Sequence, residues 1–433
     1  MQKVAIIGAG VSGLSTAQFL KNRCQVTVFE KEGQPGGLIK CRRVNGSLFH
    51  TCGGHVFNSK RQDVLDWFWS LFKREEEFSK ADRNSCVFMD AEDNPLGSVA
   101  PKAIPYPIEN HMYLFDESIQ RAFYADLEEI DCIKGLDAKF TDYTSFGDFL
   151  RWRFGKTLYN LYFEPYNKKV WRRELNTVPM AWMEGKLPMP TTQEIRDNNA
   201  NKVEEKAFVH ATFWYEKVNG SQYIADRLAE GLNIIYNADI KKIQYKGDKW
   251  FVNGEPFDKV VFCGNIKEMV NIIDGIDLSA WKEDVAALEY HGTTAVFCEI
   301  DANPYSWIYQ PSSRHESHRI ICTGNFSPTN NDSNHVAKNR ITATIEFTDS
   351  ISKEEILDNL SRIPLNPKYL DHKYNKYTYP IQGQWTRDLI RNIKSELESH
   401  GFYFTGRFAD WEYYNMDVAM GAAMDLSKRL CVE

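Results

Sequence analysis

Three glycines and one acid carry the first legible chemistry of this chain. Gly8, Gly10 and Gly13 stand as G-x-G-x-x-G behind the apolar run Val4 to Ile7, and Glu30 follows twenty residues after Gly10. Gly8 permits a tight turn, Gly10 lets backbone approach a pyrophosphate, and Gly13 lets a helix pack close to a strand. The helix that begins there turns free N–H groups and a positive dipole end toward phosphate. Glu30 ends a second strand, Val26 to Phe29. A carboxylate at that place accepts hydrogen bonds from a ribose diol and repels a 2′-phosphate. The glycines alone are a weak signal; the full strand–loop–helix–strand–acid unit predicts a bound dinucleotide.

Behind the acid the chain reads Lys31-Glu32-Gly33-Gln34-Pro35-Gly36-Gly37-Leu38. The pair Gly36-Gly37 resembles the E-x-x-x-x-x-G-G continuation of FAD-binding proteins in the amine oxidase and protoporphyrinogen oxidase superfamily. There the second glycine turn runs along the flavin side of the cofactor. The resemblance implies FAD rather than NAD, with Ser12, Lys31 and Leu38 among its contacts.

Four more segments together resemble the UDP-galactopyranose mutases and their relatives. Phe49-His50-Thr51-Cys52-Gly53-Gly54-His55 is similar to the family's G-G-H loop, which implies backbone close to the flavin and His55 at its reactive edge. A neutral imidazole there can donate or accept as the flavin changes redox state. Ile104-Pro105-Tyr106-Pro107-Ile108-Glu109-Asn110 looks like the family's Y-P-F-Q-x-N segment, with Tyr106 held on an extended backbone. Pro165-Tyr166-Asn167-Lys168-Lys169-Val170-Trp171 has the family's tyrosine and tryptophan five apart. The resemblance implies that Tyr166 stacks on the nucleotide base and Trp171 walls the sugar site. Gly406-Arg407, then Tyr413-Tyr414-Asn415-Met416-Asp417, resembles the family's G-R-x-x-x-x-x-Y-x-D-M-D block. It implies Arg407 on the cofactor pyrophosphate, Tyr413 on the substrate diphosphate, and a helix start at Asn415 and Met416 facing the flavin pyrimidine. Tyr379, in Tyr379-Pro380-Ile381, matches another diphosphate contact.

The departures from that pattern are as informative. The family's aspartate two residues after the tyrosine is Asn415 here. Where the family grips the diphosphate with two arginines, the counterparts are Lys186 and His291. Neither is a bidentate fork, so neither is a conservative replacement. Either the diphosphate is held otherwise, through Arg196 or Arg319, or the substrate differs. The resemblance implies an FAD-dependent mutase of a nucleoside-diphosphate hexose in which reduced flavin N5 displaces the diphosphate, with NAD(P)H as external reductant and a place in cell-surface polysaccharide biosynthesis. The alternative is a net oxidase or dehydrogenase of the amine oxidase superfamily. The partner in either reading is a small molecule, with a homo-oligomer as a further option.

The elements that must position these groups suggest an α/β fold, with a discontinuous Rossmann-type FAD-binding domain, a helical substrate region and an antiparallel sheet. The expected division is 1–85, 207–275 and 385–433 for the FAD domain, 86–206 for the helical region and 276–384 for the antiparallel sheet. Apolar residues three and four apart mark helices from about Tyr113 to Asn176, and Thr191 to Lys206 reads as a mobile loop or solvated helix end. Ile234 to Ile235, Ile240 to Tyr245, Trp250 to Val252 and Lys259 to Cys263 read as strands returning to the nucleotide-binding sheet. A closing helix is expected from about Asn415 to Arg429. The 433 residues carry a net charge of −7 and no basic tract, which argues against nucleic acid. Aromatic content is 13%, with 21 Tyr, suited to sites that hold rings and sugars. Nine scattered cysteines without a C-x-x-C pair fit reduced thiols and no metal site. With no long apolar run and a strand from residue 3 or 4, a cytoplasmic protein is expected.

Overall fold

Three distant stretches of chain meet in one parallel sheet. The computed structural model describes residues 1–90, 103–134, 139, 142–178, 180, 189–203 and 212–430. In spatial order the strands of this sheet are Phe402–Phe404, Lys259–Phe262, Lys3–Ile7, Gln25–Phe29 and Ile234–Ile235, and every neighbouring pair is parallel. Parallel strands are covered on both faces, so they read as apolar runs without alternation. Helix Val11–Leu20 follows the first strand and is buried along most of its length. Its small residues, Gly13, Ser15, Thr16 and Ala17, let it wedge between the sheet, helix Ser221–Ala229 and helix Met416–Leu430.

Residues 240–252 do not join that sheet, contrary to the sequence reading. Ile243–Lys246, Lys249–Val252 and Glu255–Phe257 form an antiparallel meander of their own, extended by Ile273–Asp274. The reason is local. Gly247-Asp248 and Asn253-Gly254 take positive φ at both residues, the backbone of tight two-residue hairpin turns. The segment therefore folds back on itself before Lys259–Phe262 reaches the parallel sheet.

A seven-stranded sheet forms the second layer, ordered Lys368–Pro380, Tyr290–Asp301, Arg340–Thr348, Arg319–Ile321, Trp307–Tyr309, Ser85–Phe88 and Ala103–Pro105. It is antiparallel except where Trp307–Tyr309 runs parallel to Ser85–Phe88. Residues 85–88 and 103–105 thus belong to a sheet, where a helical region was expected to start. The helices proper are Glu117–Ile133, Phe146–Phe154 and a run from Lys156 to Trp171. Ser145 caps the second by accepting from the Asp148 N–H. The third widens into a π-type turn at Tyr159–Phe163, which shifts the facing of the residues after it. Thr192–Ala200 is a helix rather than a loop, started by a reciprocal capping box between Thr191 and Glu194. Among the described residues no helix is long and apolar enough to cross a membrane.

Candidate functional site

The glycine loop and the second glycine turn lie against each other. The Gly36 N–H donates to Ala9 O at 2.8 Å, and a Cβ on Gly37 would stand 3.2 Å from the Gly10 Cα. Gly8 and Gly36 take φ of +106° and +124°, open to glycine and strained for other residues. Glu30 locks the arrangement: its Oε2 accepts from the Ala9 N–H at 2.7 Å and its Oε1 from the Glu32 N–H at 2.9 Å. A carboxylate has about four acceptor positions, so these bonds leave room for a ribose diol. Beside this bare backbone lies a cavity of about 580 Å³. Gly8, Gly10, Ser12, Glu30 and Lys31 line one part, and Gly36, Gly37 and Leu38 the next. His55, Arg407, Asn415 and Met416 line it too. Gly13 stands behind the loop, not in it.

Two features of the cavity suit a dinucleotide. Helices Val11–Leu20 and Met416–Leu430 both begin on it, the first without a side-chain cap, so N–H groups remain for phosphate oxygens. Asn265 also lines it; its Oδ1 caps a helix at the Lys267 N–H, and its buried Nδ2 meets no acceptor among the described residues. A ligand oxygen or ring nitrogen would satisfy that donor. FAD therefore fits the residues present. Sequence reasoning missed Asn265, whose one signal is its place directly after a parallel strand and before a helix. It also missed the cavity's outer wall, Lys373 to Tyr377 on the edge strand Lys368–Pro380.

Around His55 and Arg407 the charges interlock. The His55 ring Nε2 donates to Leu38 O at 3.1 Å. Burial, and then the neighbouring Arg407 charge, bring His55 down to about 4, so its imidazole is neutral at pH 7. Arg407 donates from Nε and Nη2 to Tyr414 O and from Nη1 to Thr378 O, and its guanidinium lies 4.7 Å over the Tyr413 ring. A guanidinium has five N–H donors, so this does not exhaust the fork. Tyr413 and Tyr379 stack with rings 6° from parallel and centroids 5.6 Å apart. The Tyr379 hydroxyl accepts from Arg319 Nη2 at 3.0 Å, and Arg319 Nε pairs with buried Glu346. Glu346 Oε1 accepts from the Gly53 N–H at 2.9 Å, which ties the loop bearing His55 to the same ion pair. Burial raises Tyr379 and Tyr166 above the ordinary phenol range despite Arg319, so both stay neutral donors. Among the described residues no acid, histidine and cysteine cluster could hold a metal.

The aromatic rim departs from the sequence reading in part. Tyr106, Tyr166 and Tyr309 are half-buried neighbours, with Tyr309 at 5.1 Å from Tyr106 and 5.6 Å from Tyr166. Trp171 is not with them. It is buried in the helical core, 6.4 Å from Phe146, because residues five apart on a helix point about 140° away from each other. His291 does not replace a diphosphate arginine either. Its Nε2 donates to Trp171 O at 2.9 Å and its Nδ1 lies 3.0 Å from Asp349 Oδ2, so both ring nitrogens serve the fold. Arg196 is paired with Asp131 at 2.8 Å on the helical layer. Lys186 lies outside the described residues. Of these cations, among the described residues, Arg319 is placed against Tyr379. We expect His291→Ala to cost about 2–4 kcal/mol of stability with FAD retained. A urea unfolding curve indistinguishable from wild type would refute that role.

Comparison with known proteins agrees with this arrangement. The NAD(P)-binding Rossmann-like domain family matches residues 6–74. An L-amino-acid oxidase of Bothrops jararacussu is 29% identical over 154 residues, 33% of this chain and 31% of that protein. The match thus spans about a third of that relative. The crystal structure of reduced UDP-galactopyranose mutase superposes with a TM-score of 0.83 at 19% identity, covering 99% of this chain and 94% of that one. Wild-type putrescine oxidase bound to putrescine superposes with a TM-score of 0.61 at 15% identity, covering 100% and 99%. The chain accordingly shares its fold with reduced UDP-galactopyranose mutase and with putrescine oxidase.

Proposed function

We propose that the protein is an FAD-dependent sugar-nucleotide mutase, similar to UDP-galactopyranose mutase, that interconverts pyranose and furanose forms of a nucleoside-diphosphate hexose. The observation that carries this reading is the stacked Tyr379–Tyr413 pair flanked by Arg319 and Arg407, with Arg407 and neutral His55 both lining the dinucleotide cavity. Two phenol hydroxyls and two guanidinium groups suit a diphosphate, since a phenol hydroxyl donates without adding negative charge. The backbone of Gly8 to Ser12, Glu30, Gly36, Gly37, Asn265 and Arg407 would hold FAD. Bound and reduced, FAD would supply a nucleophilic nitrogen for covalent exchange at a sugar carbon. His55 would orient the flavin edge through a fixed tautomer, since Leu38 O takes its Nε2 proton. Tyr413 and Tyr379 would hold the diphosphate in place between departure and return, and Asn415, at the helix start, would add a neutral amide. Tyr166 and Tyr106 would receive the nucleotide base by stacking. The reaction is redox-neutral, so an NAD(P)H-type donor is needed to bring FAD to its working state. Work in the cytoplasm on precursors of cell-surface polysaccharide follows from this reading.

The oxidase-type relative supports a second reading, net oxidation of another small molecule. One experiment separates them. Purified protein is reduced with dithionite, given UDP-galactose or other sugar nucleotides, and the products are analysed for a furanose. A furanose formed by reduced protein and not by oxidised protein supports the mutase. Flavin bleaching by an amine or amino acid, with peroxide released and no isomerised sugar, overturns it.

A further inference from the structure

Helix Glu164–Trp171, which carries Tyr166, meets the seven-stranded sheet through a buried cation. Lys169 is 9% exposed, and its Nζ donates to Gln310 O and to Ser317 O, each at 3.0 Å. Those carbonyls belong to the two ends of one connection. Gln310 directly follows strand Trp307–Tyr309, and Ser317 stands two residues before strand Arg319–Ile321. The neck of the connection is already closed: the Gln310 N–H donates to His318 O at 2.9 Å, and Ser317 Oγ donates to Gln310 Oε1 at 3.0 Å. Lys169 therefore plugs into a rigid neck whose flanks carry Tyr309 and Arg319. Tyr309 in turn meets Tyr166 edge-on at 5.6 Å.

Taking an ammonium out of water carries a desolvation penalty that an apolar side chain would avoid. What it adds is direction, since its donors fix the helix at one height against two fixed acceptors. We infer that Lys169 is a positioning residue that sets Tyr166 in register with Tyr309 and Arg319, so that base and diphosphate are met by one rigid unit. The inference rests on the proposed function for what those side chains bind, and not for where Lys169 holds them.

The test uses the holoenzyme with Lys169→Met, which keeps the stem and removes the donors, and Lys169→Arg, which restores a cation. Hydrogen exchange is followed by mass spectrometry, and UDP is the binding probe. In Lys169→Met, exchange should rise roughly tenfold in both 164–171 and 310–318, with the parallel sheet unchanged. UDP affinity should fall about tenfold and KM for the sugar nucleotide should rise with it, while kcat stays within about threefold, because binding remote from the reacting carbon is lost. Lys169→Arg should recover most of the protection. Lys169→Met combined with Tyr166→Ala should bind UDP no more weakly than Tyr166→Ala alone, because Lys169 acts through Tyr166. Additive losses, or exchange rising in one of the two segments and not the other, would overturn the inference. Should Lys169→Met not accumulate as holoenzyme, Lys169→Gln carries the same comparison. A wild-type holoenzyme that binds no UDP would sink the sugar-nucleotide reading, while the exchange result would still decide the role of Lys169.

Discussion

Replacing Gly13 with Ala is expected to yield a protein without flavin. A Cβ at Gly13 would stand 1.9 Å from the Gly8 carbonyl oxygen and 3.1 Å from its carbon. Both are backbone atoms of the loop proposed to cradle the pyrophosphate, so no side chain can swing aside. The helix would have to withdraw by about 1.5 Å or more to reach ordinary contact distance. It cannot do so cheaply, because Met416–Leu430 and Ser221–Ala229 pack against its other sides. Overpacking of this kind costs about 1–3 kcal/mol or more. The helix N-terminus also moves away from the phosphates it should meet. We expect less than about a tenth of wild-type FAD content and a melting temperature several degrees lower, read from the flavin absorbance and a thermal scan. Gly10→Ala is the matched control. There a Cβ would meet nothing closer than the Gly37 Cα at 3.9 Å, so the apo protein should stay as stable as wild type while FAD binds more weakly. If Gly13→Ala keeps its flavin, close helix–strand packing does not set the phosphate site.

The parts of this fold that could be read from sequence are those whose cause is local. The glycine loop, the second glycine turn and Glu30 announce themselves because each glycine answers a backbone need within a few residues. The parallel sheet was legible for the same reason as far as Gln25–Phe29. Of the later strands, Ile234–Ile235 and Lys259–Phe262 join it as read, whereas 243–246 and 249–252 do not, although 243–246 alternates apolar and polar residues where Lys259 is followed by an apolar run. The turns Gly247-Asp248 and Asn253-Gly254 held that information and went unread. In the site, the resemblance at Tyr166 and Trp171 implies a base contact and a sugar wall from one short helix, although helical geometry points the two side chains about 140° apart. His291 was chosen as a cation where an arginine was missing, and the structure shows it bound to a carbonyl and a carboxylate. Glu346 was missed. It is one acid in the nine-residue buried strand Arg340–Thr348, a place where an acid needs a cationic partner. That partner, Arg319, lies 27 residues earlier and directly opposite in register on the adjacent strand, a pairing that no local pattern displays.

Glu346 is therefore where the second large effect is expected. It is 1% exposed and accepts from Arg319 Nε and the Gly53 N–H, with His318 Nε2 at 3.6 Å. Glu346→Ala would leave the Arg319 guanidinium without its counter-charge and the Gly53 N–H without its acceptor. Breaking a buried pair by deleting one partner costs about 3–5 kcal/mol. The loop Gly53-Gly54-His55 would lose its tie to the sheet, and Arg319 its fixed reach toward Tyr379. Glu346→Gln keeps the shape and removes the charge, which allows the ionic part to be read by pH. Burial pushes the Glu346 carboxyl up, but the Arg319 charge and the His318 hydrogen bond overcome it and hold it down at about 2, against an ordinary 4.5. A depressed carboxyl stabilises the fold fully above the unfolded value and loses that contribution as pH falls from about 4.5 toward 2. The difference corresponds to about 3 kcal/mol. Wild type should therefore lose stability steeply below pH 4.5, and Glu346→Gln should start lower at pH 7 and fall less over the same interval. Urea unfolding at pH 7, 4.5 and 3 measures both. Parallel losses in the two proteins would mean that the ionised Glu346 is not what holds Arg319 beside the stacked tyrosines, and the cation set beside the proposed diphosphate site would then need another anchor.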